Sequence, residues 1–161
     1  MPIRVGVLTV SDSGAAGERE DKSGETIVNW LGEAGYDLAE RKLVPDESDL
    51  IAQVLTRWAD GGVADVILTT GGTGFSPRDV TPESTKAVLE REAPGIAEGI
   101  RAAKRESFPR SMLSRGVAGI RGSTLIVNLP GSVGGVRDGL DTLAPVFEHA
   151  VQIIRGDPTD H

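Results

Sequence analysis

The chain has no cysteine, two histidines and 4% aromatic residues, and each shortage removes a class of chemistry. Without cysteine there is no disulfide, no thiolate nucleophile and no Cys-ligated zinc. His149 falls on a terminal helix and His161 ends the chain, so no Ser-His-Asp triad or His-rich zinc site can be assembled from them. Positive charge is scarce too: 17 Lys and Arg stand against 24 Asp and Glu, for a formal net charge of −7. A nucleic-acid surface needs the reverse balance. No apolar run approaches the ~20 residues of a membrane span. No basic-then-apolar leader precedes the first strand, and a cytoplasmic protein is expected. The 161 residues, 39% hydrophobic and 25% charged, fit a single domain over 1–156 with a polar tail at 157–161.

Glycine, by contrast, is abundant at 21 residues. The most informative run is Thr69-Thr70-Gly71-Gly72-Thr73-Gly74, followed by Arg78-Asp79-Val80-Thr81-Pro82-Glu83. It comes straight after Ala64–Leu68, a β-branched apolar stretch that reads as a buried strand. Glycines at a strand end bare backbone N–H groups and let a ligand approach closely. Thr81 is expected to cap the following helix, with Pro82 and Glu83 suited to its first turn. A strand, a polyanion-friendly corner and a helix start make the build of a phosphate site. The run is neither a dinucleotide fingerprint nor a Walker A loop, since both spacings are missing.

Strand–helix alternation extends through the chain. Ile3–Val10 reads as a strand buried on both faces, and Ser11-Asp12-Ser13-Gly14 ends it before a mobile polar loop reaching Lys22. A helix then opens at Ser23-Gly24-Glu25, with Ile27, Trp30, Leu31 and Ala34 on one face and Gly35 closing it. Tyr36–Val44 is expected as a strand near an edge. Pro45-Asp46-Glu47-Ser48 leads into a helix with Leu50, Ile51, Val54, Leu55 and Trp58 inward. Helices are expected over Glu83–Ala93 and from Gly95 to about Arg105, and an irregular stretch over Phe108–Arg115. Val117–Arg121 and Thr124–Leu129 flank Gly122-Ser123 as a hairpin. Pro130-Gly131-Ser132 forms a third corner, and Ser132 caps a long helix with Val136, Leu140, Leu143, Val146, Phe147, Val151 and Ile154 as its stripe.

This order implies a three-layer α-β-α fold around a mostly parallel sheet, plus one hairpin. Ligands of such sheets sit outside the carboxyl ends of the strands. Ser11–Gly14, Thr69–Gly74, Pro130–Ser132 and Asp46 would all gather on that edge. Taken singly, Asp46 and Asp79 are each explained by capping a helix start, as is Ser132. Together, on one edge beside two glycine corners, the two aspartates suit Mg²⁺ shared with substrate phosphate oxygens.

These pieces resemble the molybdopterin-binding MogA/MoaB-type proteins of molybdenum cofactor biosynthesis over nearly the whole chain. The resemblance is carried by Thr70–Gly74, Arg78–Glu83, Val44-Pro45-Asp46, Ser114-Arg115 and Leu129–Ser132, together with Ser11-Asp12 and Asp21-Lys22-Ser23-Gly24, and by the spacing between them. It implies molybdopterin adenylyltransferase activity, in which molybdopterin and Mg-ATP give adenylylated molybdopterin and pyrophosphate. By the same resemblance Asp46 and Asp79 are catalytic, and Ser11, Asp12, Ser13, Thr70, Gly71, Gly72, Thr73, Gly74, Ser114, Arg115, Pro130, Gly131 and Ser132 bind substrate. A homotrimer is implied, as is a downstream molybdenum-insertion protein. The chain departs from the family pattern at Val133-Gly134-Gly135, where Pro-Lys is usual and a phosphate-neutralising lysine is lost. Two rivals stay open on sequence alone: a carrier or sensor that binds molybdopterin without adenylylating it, and an interaction protein whose glycine corners are only tight turns.

Overall fold

A computed structural model describes residues 1–160; His161, the end of the expected tail, lies outside the described residues. Six strands form one sheet: β1 (Arg4–Val10), β2 (Asp37–Val44), β3 (Val66–Thr70), β4 (Arg91–Glu92), β5 (Ala118–Arg121) and β6 (Thr124–Leu129). Their spatial order is β2-β1-β3-β6-β5-β4, with the first four parallel and the β6-β5-β4 side antiparallel. The period-two pattern of the buried strands decides the layers. Val66, Leu68, Leu125 and Val127 face one side, where α2 (Lys22–Ala34), α5 (Pro94–Ala102) and α6 (Val133–Arg155) cover them. Ile67 and Ile126 face the other, against α3 (Ser48–Asp60) and α4 (Thr81–Val88). This is the expected three-layer α-β-α arrangement with a hairpin.

Several local expectations give way to packing. The stretch after β1 begins as a short helix, α1 (Asp12–Ala15), because Ser11 caps it by accepting from the N–H of Gly14 at 3.0 Å. Thr81 does not cap α4: it is the first helical residue, and its own N–H donates to the carbonyl of Gly72 at 3.1 Å while its side chain is buried. The helix expected over Glu83–Ala93 stops at Val88. Glu90 and Ala93 instead donate to carbonyls of Ile120 and Ala118, so that Arg91–Glu92 extends the sheet as β4. Sheet pairing there wins over helix propensity. A 3₁₀ turn occupies Pro109–Leu113 in the stretch expected to be irregular. Leu50, Ala34 and Val146, expected inward, are exposed.

Two expected ends hold. Gly35 closes α2 in the left-handed region at φ 80°. Ser132 caps α6, accepting from the N–H of Gly135 at 3.0 Å.

Candidate active site

The parallel strands end level. Val10 lies opposite Val44, Thr9 opposite Thr70, and Thr70 opposite Leu129. The corners that follow β1, β2, β3 and β6 are therefore brought to one rim by register alone. Contacts between them are short. The N–H of Ser11 donates to the carbonyl of Val44 at 2.9 Å, and the Thr70 hydroxyl donates to the carbonyl of Pro130 at 2.6 Å. Gly71, at φ 95°, has no room for a side chain: a Cβ there would meet the Val10 carbonyl oxygen at 2.2 Å.

Asp46 and Asp12 lock the β1 and β2 corners reciprocally. The N–H of Asp12 donates to Asp46 Oδ2 at 2.9 Å, and the N–H of Asp46 donates to Asp12 Oδ1 at 2.9 Å. Arg78, arriving from the β3 corner, donates to both oxygens of Asp12 at 3.0 Å and to Glu47 Oε1 at 3.1 Å. Asp79 Oδ2 accepts from the N–H of Ser76 at 3.0 Å, tightening its own turn. A side chain at Gly74 would press on that oxygen at 2.9 Å.

A cavity of about 1040 Å³ opens on this rim. Of the residues singled out from sequence, Ser11, Asp12, Ser13, Asp46, Thr70, Gly72, Asp79, Gly131 and Ser132 line it, and Arg78 lines it as well. Gly71, Thr73, Gly74, Ser114, Arg115 and Pro130 are not among its lining residues. Arg115 faces the corner from behind. Its N–H donates to the Thr73 carbonyl, its guanidinium to the carbonyls of Gly74 and Asp79, and both remaining bonds go to Glu83. Ser114 Oγ accepts from the N–H of Gly116 at 3.3 Å.

Other lining residues were not singled out from sequence as site residues, Thr9, Glu18, Arg19 and Asp21 among them. The Thr9 hydroxyl donates to Asp21 Oδ2 at 2.7 Å, while Asp21 Oδ1 caps α2 by accepting from Gly24 N–H at 2.9 Å. The sequence signal was an aspartate three residues before a glycine at a helix start. Two helix N-termini thus face the cavity, α2 through Asp21–Ser23 and α6 through Ser132-Val133. Their free N–H groups and positive dipole ends attract anions.

The side chains tell the opposite story. Six acidic residues line the cavity (Asp12, Glu18, Glu20, Asp21, Asp46, Asp79) against three basic ones (Arg19, Lys22, Arg78). Burial pushes the Asp46 carboxyl above its usual range, and the negative charges of Asp12 and Asp79 push it further; the N–H of Asp12 and the charge of Arg78 act against them. The Arg78 guanidinium holds Asp12 below its usual range. A wall so charged would repel a polyphosphate unless a cation sat between them. Asp46 and Asp79, close enough for the charge of Asp79 to raise Asp46's cost of ionising, fit a hard divalent cation such as Mg²⁺, which takes carboxylate oxygens and keeps most of its water. No group of three or more His, Cys, Asp or Glu is arranged to hold a metal by itself among the described residues. Such a cation would need oxygens from a substrate.

Residues 6–149 match the family described as "Probable molybdopterin binding domain". The chain belongs to that molybdopterin-binding family. Within it, a protein named molybdopterin adenylyltransferase from Helicobacter pylori is 40% identical over 96% of this chain and 89% of its own length. The Drosophila melanogaster molybdenum cofactor synthesis protein cinnamon is 43% identical over 96% of this chain. The chain spans only 26% of that larger protein's length. Among solved structures, the molybdopterin biosynthesis enzyme MoaB of Thermus thermophilus superposes with a TM-score of 0.92 at 49% identity, covering 98% of this chain and 99% of the other. The molybdopterin-binding fold is therefore matched end to end, and no helix among the described residues is long and apolar enough to cross a membrane.

Proposed function

We propose that this chain is a molybdopterin adenylyltransferase that joins molybdopterin to the AMP portion of ATP and releases pyrophosphate. The observation that carries the reading is the meeting of Asp46 and Asp79 on one cavity walled by two helix N-termini. The terminal phosphate of molybdopterin is already an oxygen nucleophile, so no side-chain nucleophile is needed. Its oxygen forms a bond to the α-phosphorus of ATP as the bond from that phosphorus to the bridging α–β oxygen breaks, and the pyrophosphate leaves with those electrons. Catalysis of this kind rests on positioning and on stabilising charge.

The protein's own groups divide the work. Asp46 and Asp79 would hold Mg²⁺, which supplies charge neutralisation between the acidic wall and the triphosphate. Free N–H groups at the starts of α2 and α6 bind phosphate oxygens, a role that Val133-Gly134-Gly135 leaves to the backbone because no lysine follows Ser132. The Asp12–Arg78–Glu47 cluster fixes Asp46. Arg78 and Arg115 are spent on carboxylates, which makes them braces of the corner and not free phosphate ligands. A homotrimer in the cytoplasm and hand-over to a molybdenum-insertion protein complete the proposal; light scattering of the purified chain tests the first.

The deciding experiment is incubation with molybdopterin, ATP and Mg²⁺, following adenylylated pterin by mass and pyrophosphate by a coupled assay. Both products are expected in equal amounts. Pterin binding with no pyrophosphate would identify a carrier instead.

A further inference from the structure

Thr81 is fully buried, yet its hydroxyl has no hydrogen-bond partner. An unpartnered buried hydroxyl is costly, and valine would fill the same space without that cost. The hydroxyl lies against the bare face of Gly72, where a Cβ would fall 2.2 Å from it. The same point is 3.1 Å from Asp46 Oδ1. That oxygen stands apart from the Asp12 lock, whose N–H is taken by Oδ2. A donor and an acceptor, neither shown with a partner, thus flank one glycine face, and Gly72 itself lines the cavity.

We infer that Thr81 is a positioning residue for Asp46: when substrate fills the cavity, its hydroxyl donates to Oδ1 across the face of Gly72 and fixes the carboxylate's orientation. Gly72 is required in this arrangement twice over. Its φ of 69° disfavours other residues, and any side chain would fall between the hydroxyl and the carboxylate. The N–H of Thr81 on the Gly72 carbonyl keeps the hydroxyl from moving away. The inference rests on the adenylyltransferase reading, since it gives Asp46 a substrate-facing task.

The test compares Thr81→Val and Thr81→Ser with the unaltered protein in three measurements. These are melting temperature, calorimetric affinity for Mg-ATP without molybdopterin, and turnover with molybdopterin. Thr81→Val is expected to melt at the same temperature or higher, because it removes an unsatisfied hydroxyl. It should bind Mg-ATP about five- to tenfold more weakly and lose turnover by a similar factor, the size one hydrogen bond supports. Thr81→Ser should restore both. Three results overturn the inference: Thr81→Val matching the unaltered protein in affinity and turnover, Thr81→Ser failing as Thr81→Val does, or Thr81→Val melting clearly lower. The last would mean the hydroxyl has a structural partner. If the unaltered protein binds Mg-ATP but makes no adenylylated pterin, the enzymatic reading fails on its own and the Mg-ATP affinities of the two variants still decide the Thr81 inference. If it binds no Mg-ATP, the Thr81 inference is overturned with that reading.

Discussion

At Asp79 a single carboxylate does two jobs that chemistry can separate. One oxygen accepts from the Ser76 N–H to close a turn, and the charge faces the cavity. Asparagine keeps an oxygen for the turn and removes the charge. Asp79→Asn is therefore expected to leave melting within a few degrees while turnover falls about a hundred- to thousandfold, as for loss of one preorganised electrostatic group. Pyrophosphate release checks it, and unchanged turnover would strip Asp79 of its role. Gly72 makes a different case. A methyl group there meets the Thr81 hydroxyl and a backbone at φ 69°, so Gly72→Ala should cost about 1–3 kcal/mol in urea unfolding. From sequence, Asp46 and Asp79 were visible as carboxylates at strand ends, but their neighbours were not. Nothing in the order of residues says that Arg78 reaches Asp12, or that Arg115 turns to Glu83, because those pairs are 66 and 32 residues apart.

Between elements, the connections that matter most run through buried polar groups. Asn128 on β6 donates to the hydroxyls of Thr69 on β3 at 2.9 Å and Thr85 on α4 at 3.1 Å, and accepts from the N–H of Val117 at 3.1 Å. Replacing it with leucine would strand those partners in a dry core. Asn128→Leu is expected to destabilise by about 2–4 kcal/mol, read from the urea midpoint at unchanged slope. Sequence pattern reported the elements well where burial is two-sided, as in β3 and β6, since an apolar run between glycine corners admits few alternatives. It failed where a segment has a partner far along the chain. Arg91–Glu92 has good helical character, yet the edge of β5 captures it. Thr81 has a capping residue's chemistry, yet the buried space beneath Gly72 takes its side chain.

Across the whole molecule, the end of the sheet away from the cavity is held by Asp65. Its carboxylate accepts from the N–H and guanidinium of Arg4 at 2.9 to 3.3 Å and from Arg155, near the end of α6, at 2.9 Å. Burial works to raise its pKa, but the Arg4 hydrogen bonds and the charges of Arg155 and Arg4 outweigh it and leave the carboxyl below its usual range. A depressed folded value means the stability it contributes is present above the unfolded value of about 3.9 and is lost as pH falls through the folded one. Asp65→Ala should cost about 2–3 kcal/mol near neutral pH, discounted because Arg4 stays half exposed. The gap to the unaltered protein should close in acid, as urea titrations across pH would show. The layer architecture and the side of the sheet that carries the cavity were legible from strand–helix order, because crossover handedness allows little else. The cavity's acidic surplus was not, since Glu18, Glu20 and Asp21 reach it from a stretch that reads as solvent-facing loop.

Because β1, β3 and β6 finish flush, the floor of the cavity is a matter of counting. Two residues added within β3 would preserve its inward and outward faces but lift Gly71-Gly72 by ~7 Å, out of step with Val10 and Pro130. One residue added would keep the height nearer and turn Val66, Ile67 and Leu68 to the wrong layers. Chain length in this short strand is therefore as strictly constrained as any side chain on the rim, and evolution of a new substrate preference has the loops beyond the rim, not the strands beneath it, as its free variable.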